Sequence, residues 1–266
     1  CTTKGVWVQR TAWALASLGG AALLPGRRRR WQPPLAADEW GALLAEIRQW
    51  TGSFDGHVVY QRADDRRGLL LLLLDGDRPA GFVKAHTAGD GGIEREEQAL
   101  RLVESAGLRS FNSPRVMGAG RVAEWRYLVL SPMPPLMHRI VQGGPIPEVL
   151  HDIRAALNTL EKPADVPPDW TPSHGDFAPW NLRRLGESAL WLIDWENARW
   201  APPQADWVFY RASSAALGQP VGPPLDANSE AFAYWRREVE RRIAEKTAAN
   251  HDLDRFDRRL LQTFGG

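Results

Sequence analysis

Three polar side chains in the second half of the chain have the types and spacing needed to bind a magnesium ion and a phosphate. Asp176 and Asn181 lie in the segment His174–Asn181, which has the sequence HGDFAPWN, and Asp194 directly follows the apolar run Trp191–Ile193. Two carboxylates and an amide are hard oxygen ligands, which suit Mg²⁺ and are poor for Zn²⁺. Phosphoryl transfer can use this set, because one carboxylate deprotonates a hydroxyl while the other two groups hold Mg²⁺ on the nucleotide phosphates.

Two short blocks of sequence carry a family resemblance. The first is H-G-D-x-x-x-x-N at His174–Asn181, and the second is Ile193–Glu196, with the sequence IDWE. Both resemble the aminoglycoside phosphotransferase and choline kinase-like group of the protein-kinase-like superfamily, and the resemblance covers about Asp55 to Tyr210. It implies an α+β, two-lobed protein-kinase-like fold, with a small β-rich N-lobe and a mostly helical C-lobe. The alternative is a loop with a capping Asp and Asn, followed by an unrelated buried strand.

The resemblance also implies a role for individual carboxylates and for one amide. Asp176 would position and deprotonate the acceptor hydroxyl, and Asn181 and Asp194 would bind Mg²⁺. Glu196 is either a supporting or substrate contact, or a surface or capping carboxylate. Asp206 could be the N-cap of the next helix and, by the resemblance, a brace for the catalytic loop; the two roles are not exclusive.

An N-lobe lysine is implied as well, one that contacts the nucleotide phosphates and pairs with a glutamate on the following helix. Lys84 fits this role, since it lies on a predicted strand and is the only lysine between Lys4 and Lys162. Glu96 is the expected partner from its position on that helix, and Glu97 is the alternative.

Two further residues are expected at the nucleotide base. Phe82 precedes Lys84 by two residues and therefore shares its strand face; it is expected to stack on the base, with a core position as the alternative. The connector Ser131–Pro135 contains three prolines, which lack a backbone N–H, so Met133 offers one of the few donors where relatives bind adenine. Mg²⁺ and ATP are the expected cofactors, and GTP is possible.

Three departures from the protein-kinase pattern favour a kinase of small molecules. The loop Arg62–Gly68 has one glycine rather than G-x-G-x-x-G. Ala201–Pro203 follows Asp194 too closely for an activation segment. Gly175 follows His174 at the position where protein kinases have an arginine that binds the phosphorylated activation loop. His174 itself is expected to shape the loop that contains it rather than to catalyse.

Apolar periodicity and turn residues predict the elements that must position these groups. The six leucines of Leu69–Leu74 are too few for a helix before the Asp75–Gly76 turn signal, and so predict a strand. The predicted strands are His57–Gln61, Leu69–Leu74, Gly81–Ala85, Arg115–Gly118, Arg126–Leu130 and Leu190–Ile193. The predicted helices are Ala36–Trp50, Ile93–Ala106 and Pro147–Leu160, with more helix from Ala205 onward around a break at Gly218–Pro224.

Composition excludes several classes of protein. The 266 residues include 33 basic and 32 acidic side chains, for a net charge of +1, which argues against a nucleic-acid partner. The single cysteine, Cys1, fits a reducing, cytoplasmic compartment and excludes a multi-cysteine metal site. No run of 18 apolar residues is present, so no integral membrane segment is expected. Ala12–Leu24, before Arg27–Arg30, predicts an N-terminal helix, with a weak membrane-surface anchor as the alternative.

The chain is therefore divided into an N-terminal segment, helical or linker (1–50), a nucleotide-binding N-lobe (51–132) and a catalytic and acceptor-binding C-lobe (133–266). The hypothesis is an ATP- or GTP-dependent O-phosphotransferase that acts on a small hydroxylated molecule such as a sugar, an amino alcohol or an antibiotic. The alternatives are a catalytically weak pseudokinase-like nucleotide-binding module and a protein kinase. Residues 201–266 contain nine acidic and nine basic side chains, a balance that weighs against a polycationic acceptor. The sequence selects neither the acceptor nor the oligomeric state.

Overall fold

The computed structural model describes residues 34–61, 68–87, 91–107, 109–136, 138–141, 144–186, 189–219, 222–248 and 252–265. The chain divides into two compact units, Cys1–Trp40 and Gly41–Gly266. In the first unit, the described residues 34–40 include the beginning of helix α1, which spans Ala37–Thr51. The second unit contains the other elements that the structure describes and the candidate site.

Some sequence predictions fall on residues that the structure does not describe. They are the apolar stretch Ala12–Leu24 with Arg27–Arg30, and residues 62–67 of the glycine-poor loop. Among the described residues, no helix is both long enough and apolar enough to cross a bilayer.

Five antiparallel strands form the sheet of the N-terminal part, in the spatial order β1-β2-β3-β5-β4. Leu69, Leu71 and Leu73 are buried on one face of β2, and Leu70 and Leu72 line the cleft beside the sheet. The leucine run is thus a strand buried on one face, as predicted, and it pairs with the two other strands predicted on either side of it in the chain. The strands are β1 (Gly56–Gln61), β2 (Gly68–Asp75), β3 (Arg78–Thr87), β4 (Val116–Val122) and β5 (Trp125–Leu130).

Two helices flank this sheet. In the second unit, the indole N–H of Trp50 at the end of α1 donates to the Tyr127 hydroxyl of β5 at 3.4 Å, so this end of α1 packs on the sheet. Helix α2 (Gly92–Ala106) buries Ala99 and Leu100. It ends at Ala106, as predicted, and is followed by Gly107, which has a left-handed φ of 59°, a conformation that commonly terminates helices.

Beyond the connector, the chain is mostly helical. The helices are α3 (Ile146–Ala156), α4 (Ala205–Ala216), α5 (Glu230–Ala248) and α6 (Arg255–Gly265). The short strands are β6 (His138–Ile140), β7 (Thr171–Ser173), β8 (Leu182–Leu185), β9 (Ala189–Leu192) and β10 (Arg199–Ala201). Helices α4, α5 and α6 enclose an apolar cluster that includes Phe209 and Trp235. Helix α3 packs in a second cluster with α2, β5 and β9.

The structure corrects two details of this part. Helix α3 ends at Ala156 rather than at Leu160, because residues 157–160 continue only as turns. Four of the short strands, β6, β7, β8 and β10, were not predicted. Strands of three or four residues are too short to display the alternation of apolar and polar side chains by which strands are recognised. The predicted fold, with a β-rich N-terminal part and a helical C-terminal part, is confirmed.

Candidate active site

The loop that begins at His174 is fixed by a carboxylate from helix α4. Asp206 accepts hydrogen bonds from the backbone N–H groups of His174 at 2.8 Å and Gly175 at 3.1 Å. The N-cap position of α4 is held by Gln204, so Asp206 acts as the brace rather than as the cap. Gly175 has a φ of 74°, and a Cβ there would overlap the carbonyl oxygen of Asn197. Only glycine fits this position without a rearrangement.

His174 is fully buried and links the loop to the end of β9. Its Nε2 lies 3.2 Å from the carbonyl oxygen of Ile193, and its Nδ1 accepts from the backbone N–H of Asp176 at 3.3 Å. These two contacts suit a neutral ring that carries its proton on Nε2. Burial lowers the pKa of His174, which fits a loop-shaping role.

Asp176 is held by two side chains. The Asn181 amide N–H₂ donates to the Oδ2 atom and to the backbone carbonyl of Asp176, both at 2.9 Å. Arg242 of helix α5 lies 3.1 Å from its Oδ1 atom. Burial raises the pKa of Asp176, although the positive charge of Arg242 and the bond from Asn181 oppose that rise. The result is an oriented carboxylate with 13% of its side chain exposed.

Asp194 follows β9 in a backbone conformation that is unusual for a residue with a side chain. Its φ is 72° and its ψ is 60°, the left-handed region in which residues other than glycine are strained. Its Oδ1 accepts from Lys84 Nζ at 2.7 Å, and 37% of its side chain is exposed. In this backbone conformation, the solvent-accessible carboxylate of Asp194 points toward Lys84 on β3.

Lys84 lies among three carboxylates. Its Nζ is 2.7 Å from Glu96, 2.7 Å from Asp194 and 3.7 Å from Glu196. Burial opposes the charge of the ammonium, but the three carboxylates outweigh it and keep the pKa of Lys84 above its ordinary value. Burial and the neighbouring carboxylates also raise the pKa of Glu96, to about 7. We call these four residues the Lys84 cluster.

The ambiguity between Glu96 and Glu97 is resolved in the geometry. Glu96 contacts Lys84, whereas Glu97 pairs with Arg101 at 2.9 Å and with Arg126 at 3.4 Å. Glu196 is buried beside Lys84, and so it is not a surface carboxylate.

A cleft of about 730 Å³ lies beside these groups. The side chain of Phe82 borders it together with Leu70 and Leu72 of the sheet, and the connector residues Ser131 to Pro135, including Met133, form another wall. The backbone N–H of Ser131 already donates to the Arg115 carbonyl at 2.8 Å. The full lining is Leu70, Leu72, Pro79, Phe82, Lys84, Glu96, Pro114, Leu130, Ser131, Pro132, Met133, Pro134, Pro135, His138, Arg183, Ile193 and Asp194.

The residues present fit a magnesium ion. The amide nitrogen of Asn181 is committed to Asp176, so its oxygen is the atom left to serve as a ligand. Asp194 contributes an accessible carboxylate, and both donors are hard oxygen atoms. The three carboxylates of the Lys84 cluster also lie within 4.8 Å of one another, but all three already form ion pairs with the Lys84 ammonium.

Sequence reasoning missed two arginines at the site. Arg242 is separated from Asp176 by 66 residues, and no motif surrounds it. Arg183 lines the cleft, and burial lowers its pKa. Its position two residues after Asn181, at the beginning of β8, was the one feature of the sequence that could have indicated a place at the site.

Comparisons with known proteins were made for the whole chain. No protein-family model matches it, and no curated protein does. Among solved structures, a protein designated a fructosamine-3-kinase from Haemophilus somnus 129PT is 12% identical with a TM-score of 0.52, over 85% of this chain and 96% of that one. The GDP and kanamycin complex of APH(2″)-IIIa is 13% identical with a TM-score of 0.54, over 84% and 98%.

A third structure is the complex of spectinomycin phosphotransferase APH(9)-Ia with ADP and spectinomycin. It is 12% identical to this chain with a TM-score of 0.53, over 87% of this chain and 93% of that one. These likenesses extend along most of each chain, although few residues are identical. The chain therefore has the protein-kinase-like fold that is shared by these small-molecule kinases and phosphotransferases.

Proposed function

We propose that the protein is an O-phosphotransferase that transfers the γ-phosphate of ATP, or of GTP, to a hydroxyl group of a small molecule. The observation that carries the proposal is the convergence of Asp194 and the Lys84–Glu96 pair in a single cleft, with the loop carboxylate of Asp176 near enough that, besides burial, the charge of Asp194 raises its pKa. Structural neighbours were solved with ADP or GDP, which supports a nucleotide in that cleft. In this proposal, residues 51–132 bind the nucleotide and residues 133–266 supply the base and the acceptor site.

The nucleotide would lie between the sheet and the connector. Phe82 offers an aromatic face to the base, and the backbone N–H of Met133 is a donor on a connector whose prolines have none. Lys84 would contact the phosphates while Glu96 keeps its ammonium in place. Asn181 and Asp194 would hold Mg²⁺, which when bound offsets the charge that develops on the phosphate oxygens.

Asp176 would act on the acceptor. Its Oδ2 is held by Asn181, so the carboxylate is oriented before the acceptor binds. As the acceptor oxygen forms its bond to the γ-phosphorus, its proton passes to Asp176, and the bond from that phosphorus to the β–γ bridging oxygen breaks. The nucleoside diphosphate is the leaving group. The raised pKa of Asp176 makes it a better proton acceptor than an exposed aspartate.

Two measurements test this proposal. Mg²⁺ with ATP or GTP should raise the melting temperature, because a ligand that binds only the folded state stabilises it. Phosphate transfer from radiolabelled nucleotide should then be detected in a screen of hydroxylated metabolites and antibiotics. The absence of stabilisation by both nucleotides would refute the proposal, and stabilisation without transfer would indicate a binding module.

A pair of variants isolates the base. Asp176→Asn should abolish transfer and retain nucleotide-induced stabilisation, because the change removes the proton acceptor and leaves the Lys84 cluster intact. Asp165→Asn is the matched control, since Asp165 is an exposed aspartate and should transfer phosphate at the parental rate. Unchanged transfer in Asp176→Asn would show that another group is the base.

A further inference from the structure

A guanidinium group stands beside the proposed base, on the side of helix α5. Arg242 Nη1 lies 3.1 Å from Asp176 Oδ1, and 31% of the Arg242 side chain remains exposed. A guanidinium carries five N–H donors, and the contact with Asp176 uses one nitrogen. Arg242 therefore has donors left to offer to a molecule that binds at Asp176.

Two aromatic rings set the position of Arg242. Its guanidinium carbon is 5.6 Å from the centre of the Phe209 ring and 5.4 Å from that of Trp235. The two rings stack on each other at 4.0 Å, and both are buried. The Trp235 indole N–H donates to the carbonyl of Ala205 at 2.7 Å. The cation is thus supported by a rigid aromatic surface.

The glutamate one turn earlier on α5 forms its ion pairs with other arginines. Glu238 pairs with Arg241 at 2.8 Å and with Arg199 at 3.4 Å, and it is near enough to Arg242 for their charges to interact. Within the part of the chain that the structure describes, Asp176 is the carboxylate that forms an ion pair with Arg242. A guanidinium with donors left over consequently stands beside the place where the acceptor hydroxyl must approach the base.

We propose that Arg242 selects the acceptor by binding a carboxylate or phosphate group that lies next to the reacting hydroxyl. This inference rests on the proposed phosphotransferase function. Because the hydroxyl must come within hydrogen-bonding distance of Asp176, the adjoining part of the acceptor comes next to Arg242. An anionic group there gains charge-assisted hydrogen bonds that are well suited to a guanidinium, whereas an ammonium group is repelled. The acceptor class is a hydroxylated acid or a phosphorylated alcohol.

The test compares acceptors that differ mainly in charge. Glycerol, glycerate, glycerol 3-phosphate and 3-aminopropane-1,2-diol share a three-carbon skeleton, and a wider set of hydroxylated compounds is sorted into the same neutral, anionic and cationic classes. Initial rates of phosphate transfer from labelled ATP and GTP are measured for the parental protein, Arg242→Gln and Arg237→Gln. Arg237 is an exposed arginine of the same helix and serves as the matched control. Nucleotide-induced stabilisation, measured for each protein, shows that it folds and binds nucleotide.

The expected result is that anionic acceptors have the highest kcat/KM and that Arg242→Gln lowers this value by about 10- to 100-fold, as for the loss of hydrogen bonds to a charged group. The same variant should change transfer to neutral acceptors less, and Arg237→Gln should match the parental protein. Comparison of glycerate with glycerol 3-phosphate shows whether Arg242 binds a carboxylate or a phosphate group.

Other outcomes overturn the inference. One is a preference for neutral or cationic acceptors, and another is an anionic preference that Arg242→Gln retains. A third is transfer to no compound of any class by a protein that nucleotide still stabilises; this removes the acceptor assignment and leaves nucleotide binding in place. If neither nucleotide stabilises the protein, the proposed function itself fails.

Discussion

The Lys84 cluster gives a specific prediction about stability, because one ammonium group forms ion pairs with three carboxylates. Lys84→Met removes the only positive charge that Glu96, Asp194 and Glu196 share among the described residues. Glu96 and Glu196 are both buried, so water cannot replace the lost partner. Removing one member of a buried ion pair costs about 3–5 kcal/mol. We expect Lys84→Met to lower the free energy of unfolding by an amount in this range.

A second substitution tests the cause of that loss. Glu96→Gln in the Lys84→Met background removes the carboxylate of Glu96, which has lost its ammonium partner, so the double variant should recover at least about 1 kcal/mol, a coupling expected for residues in direct contact. Glu96→Gln alone should cost less than Lys84→Met. Lys84 keeps Asp194 and Glu196 as partners in that variant, and burial already disfavours the charged form of Glu96 and raises its pKa.

Urea denaturation at pH 7 measures all of these variants. Lys162→Met is the matched control, because Lys162 donates to the backbone carbonyls of Pro168 and Trp170 and no carboxylate contact is found for it in the described chain. Its loss should be about 1 kcal/mol. The reasoning is refuted if Lys84→Met costs no more than this control, or if the double variant is less stable than Lys84→Met alone.

Three further predictions concern the loop and the cleft. Gly175→Ala should lower the free energy of unfolding, measured by urea denaturation, by at least about 2 kcal/mol, since a Cβ there overlaps Asn197. The control is Gly52→Ala, which has the same φ of 74° but open space around the added Cβ and should cost about 1 kcal/mol. Equal losses in the two variants would refute the overlap. Arg183→Leu should weaken ATP binding about tenfold, as measured by calorimetry. An equal loss of affinity for adenosine would place Arg183 at the nucleotide base. No loss of affinity for either compound would show that Arg183 is not part of the site. The lowered pKa of His174 keeps it neutral while the unfolded chain protonates below about 6.5, so stability should fall below that pH by up to about 1.4 kcal/mol per pH unit. His174→Gln should reduce this slope, and an unchanged slope would contradict it.

The parts of the site that were predictable from sequence are those whose chemistry is local. Asp176 and Asn181 lie on one loop, and their hydrogen bond is a consequence of their five-residue separation. Lys84 could be singled out because the chain has only four lysines. The leucine run could be assigned to a strand because an Asp-Gly turn limits its length. The loop and the strand need only neighbouring residues, and Lys84 needs only the scarcity of lysine together with the family resemblance.

The parts that were missed depend on packing between distant segments. Arg242 is one of 29 arginines, and its charge matters because helices α4 and α5 stack Phe209 on Trp235 and so direct it toward Asp176. Glu96 was the expected partner of Lys84 and does contact it, but the sequence left Glu97 as an alternative because the choice depends on helix rotation. Those two side chains point about 100° apart on α2, and the packing of that helix decides which one meets Lys84.

The two aspartates of the site share one electrostatic arrangement. Asp194 pairs with Lys84, and Asp176 pairs with Arg242, each at no more than 3.1 Å. In the proposed reaction, a magnesium ion and a proton reduce the negative charge of these two carboxylates. Lys84 still has Glu96 and Glu196 beside it and would also contact the nucleotide phosphates. Arg242 differs, because Asp176 is the carboxylate with which it forms an ion pair in the described chain. An acceptor without negative charge would therefore leave Arg242 poorly paired beside the base as the proton arrives, and an anionic acceptor would keep Arg242 paired throughout transfer.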